Sequence, residues 1–145
     1  MGTLLHGYRE GPRTPVLMPV SADTTAITVG DLVAEDADDD GHIVQLSAGE
    51  MPVGVAMQAS AVPSADGDIS ILVDVSTESL YRYPPDAGTV TQALVNKTMD
   101  TGGPQSCNID ATADDSLICR SVDIPNNTLV VSLNTQVVRY LAIAT

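Results

Sequence analysis

From Thr24 onward the chain is written as short β-branched and apolar runs, each cut after a few positions by Gly, Pro, Asn or Asp. Runs this short, bounded by turn formers, predict strands rather than helices. The expected fold is all-β, a compact β-barrel or β-sandwich of short, mainly antiparallel strands. Candidate strands are Ala26–Val29, Leu32–Glu35, His42–Leu46, Gly54–Ala59, Ile69–Val75, Ser79–Tyr83, Thr89–Val95, Ser106–Ile109, Leu117–Ile124, Thr128–Leu133 and Gln136–Ile143. Successive side chains of a strand alternate in direction, so Ile69, Ile71, Val73 and Val75 share one face. The C-terminal run Thr135–Ala144 has a spacing that a helix also satisfies. Its β-branching and lack of capping residues favour a closing strand.

The material for a core is limited. Hydrophobic residues make up 43% of the 145, but Phe and Trp are absent, so Val, Ile, Leu, Ala and Met must fill the interior. A chain of this length suits one core. Pro84-Pro85 followed by Asp86, Ala87 and Gly88 is the strongest punctuation and separates two halves of the domain.

Before Thr24 the pattern differs. Gly2, Gly7, Gly11, Pro12, Pro15 and Pro19 interrupt any helical or strand period, and proline fixes φ while removing a donor. The expected organisation is an extended N-terminal arm over 1–23 and a single β-domain over 24–145. Leu4, Leu5, Tyr8, Arg9, Arg13, Val16, Leu17 and Met18 are the arm residues expected to contact a partner.

Charge narrows the partners. The formal net charge is −13 and Lys97 is the lone lysine, so no basic patch stands ready to neutralise phosphates. Nucleic acid and an anionic membrane surface are therefore not expected partners. No run approaches the roughly 20 apolar residues of a membrane span, and the leading residues lack the pattern of a secretory signal. Synthesis in the cytoplasm is the expectation.

Two features invite a chemical reading. In EDADDDGHIVQL, Asp36, Asp38, Asp40 and Gly41 match the first half of a calcium-loop pattern, but the twelfth position, where a bidentate carboxylate belongs, is Ser47. Asp40-Gly41 is also a strong turn signal, and a solvated corner between two strands is the preferred reading. Cys107 and Cys119 bracket ATADD, so two runs pairing about Ala113 would set them opposite one another. Buried free thiols acting as small apolar residues are preferred over a disulfide. For catalysis the only histidines are His6 and His42, neither beside a nucleophile motif, and the acidic residues sit mostly in turns. No enzymatic activity and no cofactor are expected.

Three segments carry a resemblance: ITVGDLV (27–33), AGEMPVGVAMQA (48–59) and ADGDISILVDVS (65–76). In this order they resemble motifs of tailed-phage capsid decoration (head cement) proteins and related phage structural β-domains. The resemblance implies a non-enzymatic virion protein on the outer capsid surface. Such a protein would bind the major capsid protein through its N-terminal arm, as a homotrimer that stabilises the shell. Extended arms can add strands to a partner's sheet edge, and several arms on one oligomer gain avidity. The competing expectation is a secreted or surface-displayed acidic calcium-binding β-module.

Overall fold

The computed structural model describes residues 7–37 and 41–134. Its strands are β1 (Gly7–Glu10), β2 (Pro15–Pro19), β3 (Leu32–Glu35), β4 (Ile43–Gln45), β5 (Gly54–Ala56), β6 (Ser70–Asp74), β7 (Leu80–Tyr83), β8 (Thr98–Gly103), β9 (Ser106–Asn108), β10 (Leu117–Asp123) and β11 (Thr128–Leu133). The alternation read in β6 holds: Ile71, Val73 and Val75 are at most 2% exposed. All ladders are antiparallel, and they build two sheets, β1-β7-β11-β10-β8-β9 and β2-β6-β5-β3-β4. The all-β expectation is met, and the two sheets pack together as in a sandwich.

Each sheet also curls far enough to meet itself. Val20, just past β2, forms a parallel bridge with Ile43 of β4, and Pro85, just past β7, does the same with Cys107 of β9. The following amides seal both joints: Ser21 N–H donates to the Ile43 carbonyl at 2.9 Å, and Asp86 N–H to the Cys107 carbonyl at 2.8 Å.

These matched joints belong to a larger correspondence. Setting β1 aside, the strand order of the first sheet, β7-β11-β10-β8-β9, repeats that of the second, β2-β6-β5-β3-β4, strand for strand. Registers coincide as well. Met18 opposite Ile71 matches Tyr83 opposite Leu129, Ala56 opposite Val73 matches Cys119 opposite Val131, and Val33 opposite Gly54 matches Met99 opposite Leu117. Before β3, Gly30 donates its N–H to the Ala56 carbonyl at 2.9 Å; before β8, Asn96 donates to the Cys119 carbonyl at 2.8 Å. Both residues have positive φ, +92° and +69°, a conformation open to Gly and tolerated by Asn. The described residues thus form two copies of one five-stranded unit, 15–75 and 80–133, with β1 as an added strand.

Several expectations need correction. The leading stretch is extended, but residues 7–20 are not an arm outside the body: β1 pairs with β7 and β2 pairs with β6. The reason is that Val16 and Met18 supply an alternating inward face, and the prolines sit where no ladder donor is needed. Thr89–Val95 is a 3-10 turn at Gln92–Leu94, because the amides of Leu94 and Val95 fold back onto the carbonyls of Thr91 and Gln92. Ala26–Val29 contributes only the bridge from Ile27 to Ser60. Strand β8, TMDTGG, was unexpected, since only Met99 and Thr101 hint at its buried face. The boundary between the halves falls at 75–79 rather than at Pro84-Pro85. The predicted strand Gln136–Ile143 lies outside the described residues.

Candidate functional site

The N-terminal residues proposed from sequence to contact a partner disperse. Leu4 and Leu5 lie outside the described residues. Met18 is 1% exposed, Val16 is half-buried, and Leu17 on the same strand is 64% exposed. Tyr8 and Arg13 do come together, with the Arg13 guanidinium 3.5 Å from the Tyr8 ring centroid, while Arg9 points to solvent on β1.

Beneath them lies a cluster that sequence reading missed. Among the described residues the chain crosses between the sheets twice, through 11–14 and through 75–79, and the two crossings run side by side. Val75 N–H donates to the Thr14 carbonyl at 3.0 Å and Ser79 Oγ to the Pro12 carbonyl at 2.9 Å. Gly11, at φ +103°, approaches so closely that a Cβ there would lie 2.5 Å from the Glu78 carbonyl oxygen. Asp74, 0% exposed at the end of β6, joins both crossings: its Oδ1 accepts from Thr14 N–H at 2.9 Å and from Ser76 N–H at 3.0 Å. Its Oδ2 accepts from the Tyr81 hydroxyl. Tyr81 in turn meets the edge of Tyr8 and stacks on Tyr83. Burial first, and then the bond to Asp74, pushes the Tyr81 phenol well above its ordinary range. No signal short of the fold picks out Asp74, which in sequence reads as an outward position of an alternating strand.

Two more buried carboxylates are spent in the same way. Asp31, 2% exposed, accepts from Thr28 N–H and Oγ1, Gln45 Nε2 and Gln105 Nε2 at 2.8–2.9 Å. Gln105 belongs to the second unit, so this network ties the units together. Tyr83 adds a bond across the junction, its hydroxyl donating to the Gly30 carbonyl at 2.6 Å. Asp100 caps the turn after β9, accepting from the amides of Ala113, Asp114 and Asp115 at 2.8–3.1 Å. Lone pairs held by backbone amides in this way are structural, because moving a proton through them would break the loop they hold.

The acidic corner is a strand connection: Asp36 N–H donates to the His42 carbonyl at 2.8 Å, closing the β3–β4 turn. Asp36 is 5% exposed and accepts from Ser21 Oγ at 2.5 Å, while Asp38 and Asp40 lie outside the described residues. Among the described residues no three metal-binding side chains converge. Cys107 and Cys119 are free and buried, and they are not opposite one another. Strand β8 lies between theirs, so the two are not cross-strand partners. Burial pushes both thiols up, that of Cys119 to about 11.

The interior therefore holds ionisable groups locked into structure, and the surface features open to a partner include Tyr8 with Arg13, and Leu17 beside the half-buried Leu72. Comparison with protein-family models, curated proteins and solved structures gives no match.

Proposed function

We propose that this chain is a non-enzymatic structural protein of a tailed phage that binds the outer surface of the capsid, through the major capsid protein, and stabilises the shell as an oligomer. The observation that carries the reading is where the three resembling segments fall. ITVGDLV leads into β3, AGEMPVGVAMQA contains β5 and ADGDISILVDVS contains β6, and these are neighbours in the order β6-β5-β3. The resemblance thus covers one continuous piece of sheet rather than scattered strings. The saturated carboxylates Asp31, Asp74 and Asp100 support a structural role, as does the acidic surface, which keeps crowded copies soluble.

With residues 7–20 built into the body, the capsid contact shifts from a free arm to the surface around Tyr8, Arg9 and Arg13, where the chain's scarce positive charge gathers. The test is co-sedimentation with expanded, undecorated capsids. The wild-type protein is expected to pellet with the capsids and to raise their thermal disruption temperature, and Arg9→Glu with Arg13→Glu to weaken binding while the fold persists. A wild-type protein that stays in the supernatant at saturating concentration would overturn the reading. The mass of the free protein in solution tests the expected trimer.

A further inference from the structure

The two units differ in one place that bears on assembly. In the second unit the strand equivalent to β2 is β7, and its outer edge is covered: Arg82 pairs with Gly7 of β1. The residue equivalent to Arg82 in the first unit is Leu17, opposite Leu72 as Arg82 is opposite Val130. Among the described residues no strand pairs with this edge of Leu17. Exposure follows: Arg82 is 9% exposed and Leu17 64%.

The ladder shows which backbone groups this edge offers. Val20 N–H donates to the Ile69 carbonyl at 2.9 Å, which fixes the alternation of β2: Val16, Met18 and Val20 turn their amides toward β6, and Leu17 turns its N–H and C=O away. Leu72, opposite Leu17, confirms it, since its own N–H and C=O go to Gln58 and Met57 on the far side. Pro15 and Pro19 share the parity of Leu17 and bring no donor. Left open by every described strand, this edge of β2 therefore presents one intact donor–acceptor pair, at Leu17, flanked on both sides by proline.

We propose that this edge pairs with the same edge of a second copy, antiparallel about a two-fold axis, with Leu17 opposite Leu17. The sequence Pro-Val-Leu-Met-Pro is nearly palindromic about Leu17, so this register sets Val16 opposite Met18 and Pro15 opposite Pro19. It is the one register in which both hydrogen bonds close a single ring free of proline. A shift of two residues places a proline ring inside that ring, and a shift of one turns the side chains to opposite faces. The paired leucines, each beside its own Leu72, then cover the most exposed large apolar side chain of the described surface. The prolines confine the contact to one ring, which keeps it discrete and weak where a longer bare edge would aggregate. On a repetitive scaffold such a contact gains by multiplicity, linking neighbours already held in place.

Two variants test it on the full chain. Leu17→Pro removes the one donor of the free edge without touching the ladder to β6, and should weaken self-association by at least about tenfold, the worth of two hydrogen bonds and a leucine contact. Sedimentation velocity over a concentration series reads this out, with a melting curve to show that the variant folds. In Leu17→Cys the two thiols face each other across a hydrogen-bonded pair, about 5.5 Å between Cα atoms, within disulfide reach. Mild oxidation should give covalent dimers faster than Val29→Cys, an exposed control elsewhere. Equal crosslinking of the two cysteine variants, or self-association of a folded Leu17→Pro protein at wild-type strength, overturns the proposal, and if Leu17→Pro fails to fold the crosslinking rates decide alone. The outcome is independent of capsid co-sedimentation, so either reading can fail without the other.

Discussion

Asp74 shows how one side chain organises this molecule. A buried carboxylate is costly unless its lone pairs are filled, and here two amides from different crossings and one phenol fill them. Asp74→Ala leaves those three donors unsatisfied at the point where the two crossings meet, and should cost about 3 kcal/mol in urea unfolding. Tyr81→Phe removes one donor from a carboxylate and should cost about 2 kcal/mol. The pair should couple, so the double variant costs less than the two losses added. A second residue-scale prediction concerns the thiols. Burial raises the Cys119 thiol to about 11 from an ordinary 9.0, so the folded state holds that proton more firmly than the unfolded chain. The stability this contributes is fully present below pH 9 and is lost as pH rises toward 11; Cys107 adds in the same direction. Chemical denaturation midpoints at a series of alkaline pH values should fall across that window, and Cys119→Ala should flatten part of the fall.

At the scale of elements, what could be read in advance was what alternation and turn chemistry encode. β6 was legible because Ile71 and Val73 are apolar on the inner face and Gly67-Asp68 marks its start; β10 and β11 were legible for the same reason. β8 was not, since Asp100, Gly102 and Gly103 look like loop residues until Asp100 is seen capping the turn at Ala113–Asp115. β1 and β2 were hidden by prolines and glycines whose fitness for an edge shows only once the partners are known. The duplication was invisible because the units share register and burial rather than residue identity or size: Met18 stands for Tyr83, Ile43 for Cys107, Ala56 for Cys119. Accessibility in the leading stretch was not legible: Met18, read there as a residue open to a partner, is a core residue in an apparently loose segment. The equivalence of Gly30 and Asn96 supplies a test of the repeat itself. Both sit at positive φ before their strands, so Asn96→Gly should be nearly neutral, while Gly30→Val should destabilise by about 1–3 kcal/mol. Unfolding midpoints of the two variants check this, and a Gly30→Val protein as stable as wild type would mean that the turn has another conformation available.

Across the whole molecule the question is whether two similar units behave as one body. Each has its own inward set, Met18, Val33, Ile71 and Val73 in one and Tyr83, Met99, Leu129 and Val131 in the other, yet all belong to one continuous buried cluster. The junction adds polar ties on both flanks. Asp74 and Tyr81 hold the crossings, and on the other flank Leu32 N–H donates to the Pro104 carbonyl at 2.7 Å and Thr101 Oγ1 to the Glu50 carbonyl at 2.9 Å. Either unit alone would expose Leu32 and Val55, or Tyr81 and Tyr83, together with carboxylates whose partners had left. Separation is therefore costly, and cooperative unfolding follows. Tyrosine fluorescence is weighted toward the junction, because two of the four tyrosines, Tyr81 and Tyr83, lie in it, whereas far-ultraviolet circular dichroism reports both sheets. The two signals should trace one coincident transition in urea. If the fluorescence change came first, with much of the sheet signal intact, the units would hold their folds separately and the junction would be a hinge. The shared carboxylate networks argue for coincidence, because Asp31 cannot keep its bond to Gln105, nor Asp74 its bond to Tyr81, while the units part.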